Sequence, residues 1–411
     1  MGYFCQIKTD NLQSGRAQQG LRENWQQFIL LVLINAQVGG MIGMERSIFP
    51  EYADKVFGVA SRTAILSFIV AFGLTKAISN YLTGRLANRW GRKTLLLAGW
   101  LIALPVPWIL IHANHWNWVI FANVFLGLSQ GLAWSSTVVM KIDLVGEKNR
   151  GLAMGLNEFS GYYAIGFNAI LSGYLAHHFG ISPYPFYLGV GLSITGLILT
   201  LFFVRDTRAF VYLESLKDPN LPQKNVFVQT SFRDKTLSSV TQAGMVNNLN
   251  DGMIWGLFPM VLASLHFDIA TIGSLTAIYP TVWGIGQLFT GKMADVWSRK
   301  NLLFWGMLLQ GIAILLIPFA GTYLWLALIS AILGLGTAMV YPTFLTTIAH
   351  ATKPGQRAES IGVFRLWRDL GYAIGAILSG FTADLWGIDS AIILIGALTV
   401  ISSMVIKLRM P

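Results

Sequence analysis

Arg365, Arg368, Asp369 and Tyr372 are spaced i, i+3, i+4 and i+7, so a helix places all four on one face. One carboxylate cannot neutralise two guanidinium groups, and guanidinium grips planar anions such as carboxylate or phosphate with a two-pronged fork. This face therefore reads as a contact for an anionic or zwitterionic solute. Arg365 lies eight residues past Arg357, and Glu158 eight residues past Arg150. At 1.5 Å per helical residue, each sits about 12 Å along its helix from that arginine. Lys76, eight residues ahead of Gly84, matches the same depth. Lys76, Glu158 and Arg365 are expected to form one charged layer, with Arg368, Asn35, Asn247 and Tyr372 as further substrate-binding candidates. The competing reading of the layer is a salt-bridge network that latches one conformation.

Proton transfer is the second chemistry on offer. The run Asn247-Asn-Leu-Asn-Asp251 needs polar partners or a water-filled cavity if it lies in a membrane. Low dielectric raises a carboxyl group's proton affinity and a nearby arginine lowers it, so a moving acid can load and release a proton. Asp251 is the first candidate for that role, with Asp369 and Glu158 next. A structural pair with Arg46, or with an arginine of the 365–368 cluster, is the alternative for Asp251. Adjacent Glu45 and Arg46 read as a gating pair, and Asn35 with Gln37 as cavity-lining residues. His112, His115, His177 and His178 lack metal-ligand spacing, and no metal is expected. A phosphate-binding glycine loop, a cysteine cluster and a nucleophile motif are all missing, so neither ATP-driven transport, an enzyme nor a cofactor is expected.

These polar groups are embedded in apolar sequence. Of 411 residues, 54% are hydrophobic and 12% charged, with mean hydropathy +0.57. Soluble domains carry about 25% charged residues, and a membrane-spanning helix needs about 20 mostly apolar ones. Inside a bilayer each ionisable residue costs at least ~2.5–3.5 kcal/mol, which makes it a functional candidate. Apolar runs predict twelve spans: 25–49, 61–83, 93–112, 116–140, 151–176 and 184–204, then 236–263, 269–291, 300–320, 322–349, 358–383 and 388–407. The predicted organisation is a cytoplasmic segment 1–24, a six-helix bundle 25–204, a linker 205–235 with ten charged residues, a second bundle 236–407 and a tail 408–411.

The net charge of +10 is not a nucleic-acid patch, because the basic residues fall in alternate loops. Arg85, Arg89, Arg92 and Lys93 lie after the second span, and Lys141, Lys148 and Arg150 after the fourth. Lys292, Arg299 and Lys300, then Lys353 and Arg357, repeat the arrangement, whereas Lys55 and Arg62 stand alone after the first span. This asymmetry predicts a multi-pass inner-membrane protein, in contact with the lipid bilayer, with both termini cytoplasmic. Cys5 is the single cysteine, so no internal disulfide is expected. Met1–Gln19 has no apolar core, so no cleaved signal peptide is expected, and Gln6 argues against myristoylation. Trp116, Trp118 and Trp325 suit interfacial belts, and Pro105 and Pro107 should kink the third span.

The halves repeat each other. Gly84-Arg-Leu-Ala-Asn-Arg-Trp-Gly-Arg-Lys93 aligns with Gly291-Lys-Met-Ala-Asp-Val-Trp-Ser-Arg-Lys300 at an offset of 207 (291 − 84). The same offset pairs Gly127 with Gly334, Arg150 with Arg357, and Ala169-Ile-Leu-Ser-Gly173 with the identical Ala376-Ile-Leu-Ser-Gly380. Glu158 and Arg365 are likewise mates. Near the first span the offset becomes 209, pairing Gly43-Met44 with Gly252-Met253 and Phe49-Pro50 with Phe258-Pro259. Six spans per half give both copies the same membrane orientation, hence a parallel repeat about an axis along the membrane normal.

Gly84 to Lys93 resembles the loop motif G-x-L-A-D-R-x-G-R-K of the major facilitator superfamily, in place between spans two and three and recurring after span eight. The resemblance covers about Trp25 to Arg409. It implies an all-α membrane protein of two pseudo-symmetric six-helix bundles, with Gly84, Asn88, Arg89, Gly91, Arg92, Lys93, Gly291, Asp295 and Arg299 as the conformational loop residues. Three departures stand out. Asn88 replaces the usual Asp, Gly127 stands where proton-coupled drug exporters carry an arginine, and Gly166–Gly173 lacks the antiporter proline. The expected function is secondary active transport of a small anionic or zwitterionic solute by rocker-switch alternating access, as a monomer, with proton-coupled export as the expected mode. A lipophilic drug efflux pump, or a non-transporting receptor or assembly factor of the same fold, is the alternative.

Overall fold

The computed structural model describes residues 18–46, 48–59, 66–146, 150–211 and 225–411. Expectations that rest on Cys5, Arg62, Lys148 and the middle of the linker lie outside the described residues, as do those on the side chains of Arg46 and Asp295.

Twelve long helices follow one another, with no strand among the described residues. The first six are α1 (Trp25–Arg46), α2 (Ser67–Trp90), α3 (Arg92–Ile111), α4 (Trp116–Val145), α5 (Arg150–Phe179) and α6 (Tyr184–Phe203). The second six are α7 (Lys235–Ser264), α8 (Ile269–Val296), α9 (Arg299–Phe319), α10 (Tyr323–Ala351), α11 (Pro354–Trp386) and α12 (Ile388–Arg409). Local chemistry sets several of the ends. Asp234 and Asp268 accept from Leu237 N and Thr271 N at 2.8 and 2.7 Å, capping α7 and α8. Leu104 interrupts α3, and Pro105 opens its second segment, as the two prolines imply. Gly91, at φ +90°, stops α2 in a conformation that favours glycine.

Several boundaries differ from expectation where charged residues stay helical. Arg85 and Arg89 belong to the last turns of α2, and Lys292 to α8. More consequentially, α4 runs five residues beyond 140, to Val145, and fully buries Lys141, which the apolar run assigns to a loop. Helix ends that pack on protein tolerate charge that a lipid-exposed end would not.

Seven of the twelve helices are apolar and long enough to cross a membrane by composition alone. The other five are α2, α5, α7, α8 and α11, and these pack together at the middle: α2 on α11, α5 on α8, and α7 on α11. Protein neighbours rather than lipid satisfy their polar groups. The α2–α11 and α5–α8 seams join the two halves. At the end bearing the basic residues, hereafter the basic end, a Cβ on Gly84 would meet Gly362 Cα at 2.9 Å, and one on Gly291 would meet Gly155 Cα at 2.9 Å. Adding 207 turns one pair into the other (84 to 291, 155 to 362). The duplication is thus visible as a pseudo-twofold axis between the seams.

Candidate functional site

The loop motif is a clasp within the first half. Arg92, buried at the start of α3, reaches Asp143 of α4 with Nε at 3.1 Å. It also donates to the Ala87 carbonyl and to Asn88 Oδ1, both at 2.9 Å. The amide oxygen of Asn88 therefore accepts as an aspartate oxygen would. Thr207 donates to the same Asp143 oxygen at 2.7 Å, and Lys93 donates from its backbone to Asp206 at 3.1 Å. Arg89 is exposed and Arg299 half-buried at the start of α9.

Midway along the bundle the charged layer predicted from spacing assembles. Arg365 of α11 donates to Ser135 of α4 at 2.9 Å, and its Nη2 lies 3.9 Å from Glu158 of α5. Glu158 accepts from Trp134 at 3.3 Å and from Asn157 at 2.5 Å, while Asn157 accepts from buried Lys141 at 2.5 Å. Asp369 is the hub on the opposite side. It accepts from Arg368 at 3.0 Å, from Asn248 at 3.1 Å and from Asn80, and lies 3.9 Å from Lys76. Ser135 donates to Asn80, which links the Arg365 and Asp369 clusters. Charge-assisted bonds of this kind run from one half to the other through α2, α4, α5, α7 and α11.

Aromatic rings enclose these charges. Arg368 lies over the Tyr341 ring at 4.2 Å and donates to the Tyr162 hydroxyl at 3.0 Å. Tyr162 stacks on Trp283 at 3.4 Å between ring centres and meets Trp134 at 5.4 Å. Lys76 sits within 5.1 to 5.8 Å of the Phe72, Trp134 and Tyr372 rings. A residual cavity at the middle is lined by Ile42, Lys76, Trp134, Tyr162, Trp255 and Tyr372. Such rings attract cations through their faces and shield the site from water.

Asp251 stands one layer further from the basic end. It accepts from Tyr279 of α8 at 2.5 Å and from Tyr372 of α11 at 3.4 Å. Tyr372 packs against Gly73 of α2, so a proton-site candidate is one side chain away from the seam between the halves. Asn247 is buried on the same helix face, with both amide atoms lacking a hydrogen-bond partner.

Other candidates lie elsewhere. Asn35 does not line the cavity: it is buried inside the first half, donating to the Asn157 carbonyl at 2.7 Å and accepting from Thr137 at 2.9 Å. Gln37 faces α6, where Thr195 donates to it at 3.3 Å. Glu45 accepts from Asn123 of α4 at 3.3 Å, inside the first half and away from the seams. Sequence reasoning missed Lys141, Asn80, Ser135 and the aromatic enclosure. A charge at 141, four residues short of the true helix end, was the one available signal.

Comparison with known proteins gives concordant results. The sequence model of the Major Facilitator Superfamily matches residues 31–232 and 241–411. The multidrug resistance protein MdtG of Klebsiella pneumoniae is 20% identical over 375 residues, covering 89% of each chain. The proton-coupled antiporter flippase LtaA of Staphylococcus aureus is 24% identical over 383 residues, covering 88% of this chain and 90% of its own. Among solved structures, the human organic anion transporter MFSD10 (TETRAN) superposes with a TM-score of 0.75 at 14% identity, covering 93% of this chain and 99% of that one.

Proposed function

Because the chain belongs to the Major Facilitator Superfamily, we propose that it is a secondary active transporter carrying a small organic anion or zwitterion across the inner membrane. The observation that carries this reading is the charge balance of the connected layer. Lys76, Arg365 and Arg368 face two carboxylates, Glu158 and Asp369, and Nε of both arginines lacks a hydrogen-bond partner. Buried cations in surplus attract an anionic ligand, and a planar carboxylate fits the guanidinium fork. The surrounding tyrosines and tryptophans favour a substrate with an apolar body. That preference also keeps a lipophilic drug in view, as the likeness to a multidrug resistance protein does.

Residues 25–204 rock against 236–407, joined by the 205–235 linker, with both termini and the basic end cytoplasmic. The glycine pairs close that cytoplasmic end, and its opening separates the α2–α11 and α5–α8 seams. The chain is a carrier and catalyses no bond chemistry. Asp251 exchanges the coupling proton, since Tyr372, which donates to it, packs on Gly73 across the seam that opens. Asp369 and Glu158 are the alternates. The likeness to LtaA, a proton-coupled antiporter, supports proton coupling, and in antiport a proton entering down its gradient drives the solute outward.

The test uses purified protein in lipid vesicles. Counterflow of labelled organic acids should be saturable, and an imposed pH gradient should drive accumulation. Asp251→Asn should abolish accumulation while leaving counterflow within about twofold of the parent. Absence of counterflow for every organic acid, with ligand-induced stabilisation by organic cations instead, would overturn the anion reading. Unchanged pH-driven accumulation in Asp251→Asn moves the proton to Asp369 or Glu158.

A further inference from the structure

Gln287 of α8 is completely buried, and neither its amide oxygen nor its amide nitrogen has a hydrogen-bond partner. It continues the helical stripe of Tyr279 and Trp283, one turn nearer the basic end. That stripe faces α5: Tyr162 stacks on Trp283, and Gly155 lies against the Gln287 carbonyl. Native chains rarely leave a buried amide wholly unmet.

The repeat explains why this one is. Subtracting 207 maps Gln287 onto Asn80 and Trp283 onto Lys76. Asn80 is well supplied: it donates to Asp369 and accepts from Ser135. The mates of those two partners are Tyr162 (369 − 207) and Pro342 (135 + 207). Tyr162 accepts from Arg368 instead, and proline has no hydroxyl. The second half retains the amide at a position where both of its partners have been replaced.

The same shortage recurs around it. Nε and Nη2 of Arg365, Nε of Arg368, Nε1 of Trp283 and the Asn247 amide lack hydrogen-bond partners, as does Oε2 of Glu158. Arg368 and Trp283 share Tyr162 and Tyr341 as neighbours, and Arg365 pairs with Glu158, so the unmet atoms of these side chains belong to one packed cluster between the halves. Donors predominate among them, yet acceptors are present too. The complementary ligand head carries several acceptor oxygens and at least one hydrogen to donate.

We propose that Gln287, with Trp283, sets substrate specificity, and that the substrate is an organic acid bearing a hydroxyl within reach of that amide. The inference rests on the anion reading given above. Full-length protein is titrated calorimetrically with 3-phenyllactate and 3-phenylpropanoate, which differ by one hydroxyl. The parent should bind phenyllactate at least tenfold more tightly, because a site built for a hydroxyl rejects the analogue lacking it. Gln287→Leu should reduce that ratio below about twofold while keeping phenylpropanoate affinity. Its ligand-free melting temperature should not fall, since an apolar group replaces two unmet polar atoms. If the leucine variant misfolds, Gln287→Asn withdraws the amide by one methylene and should lower the ratio at least threefold, to roughly the discrimination a displaced hydrogen bond retains. A parent without preference, or a variant that retains it, overturns the inference while leaving the anion reading intact, because both probes still bind. Binding of neither probe overturns both.

Discussion

The two seams that join the halves share a backbone and differ in chemistry. In the α2–α11 seam, Lys76 and Asn80 meet Asp369 in ionic and amide contacts, while Arg365 reaches from α11 to Glu158 of α5. Their mates in the α5–α8 seam are Trp283, Gln287, Glu158 and Tyr162, and there the central contact is ring on ring. Duplication preserved what the helices need in order to approach, small residues at the basic end, while the side chains above them diverged. A polar seam opens by exchanging hydrogen bonds with water, whereas an aromatic seam resists opening in proportion to the area it must expose. The first is suited to a latch and the second to a pivot that also holds an apolar substrate.

The largest effects should come where the seams agree. Gly84→Leu and Gly155→Leu each drive a side chain into the backbone of the facing helix. Overpacking costs about 1–3 kcal/mol, up to roughly a hundredfold in the population of the closed form. Vesicle transport should be nearly abolished by either, and a cysteine placed at the basic end should become reactive to an impermeant maleimide. Gly191→Leu, where the added group meets open space, is the control and should transport normally. Loss of transport in only one seam variant would show that the halves do not close symmetrically.

Next in size is the contrast between the seams. Asp369→Asn removes the negative charge and one of the two acceptor oxygens shared by Arg368, Asn248 and Asn80, and leaves Lys76 and Arg368 buried beside a neutral amide. Breaking a buried pair in this way costs about 3–5 kcal/mol. Tyr162→Phe keeps the stack on Trp283 and removes one hydrogen bond to a charged group, a loss of about 1.5–3 kcal/mol. Chemical unfolding in mixed micelles should rank them in that order. Equal losses would mean that the aromatic seam is as dependent on polar contacts as the charged one.

Much of this architecture was legible in the sequence. Runs of apolar residues gave twelve spans because lipid allows few other solutions, and the offset of 207 gave the pseudo-symmetry. The depth of Lys76, Glu158 and Arg365 followed from helical rise, and Glu158 and Arg365 do meet. The aromatic enclosure did not follow, because a tyrosine facing the seam and one facing lipid have the same composition and spacing. Tyr162 is buried and adjacent Tyr163 is exposed. Gln287 escaped for a related reason: one uncharged amide barely lowers the hydropathy of its segment. Lys141 escaped because a lysine near the end of an apolar run reads as the end itself.

The smallest effect belongs to the pair that stands on the pseudo-twofold axis. Glu158 and Arg365 are repeat mates (158 + 207), and residues related by an axis can touch only where they straddle it. Their contact is therefore common to both seams. At 3.9 Å, with an effective dielectric near 20, two charges attract by about 4 kcal/mol. Against that stands the cost of keeping a carboxylate out of water, several kcal/mol per ion. Glu158→Gln forgoes the attraction and the desolvation cost together. A glutamine oxygen can still accept from Trp134 and Asn157, and Arg365 retains Ser135. The expected loss of stability is thus about 1 kcal/mol, below the roughly 3–5 kcal/mol of breaking a close buried pair, because these two ions stand beyond hydrogen-bond distance and the carboxylate's own desolvation cost is recovered. Anion affinity should rise several-fold in the same variant, since Arg365 then has no competing carboxylate. A loss of 3–5 kcal/mol, recovered when Arg365→Met is added, would identify the pair as a latch and remove Arg365 from the substrate site.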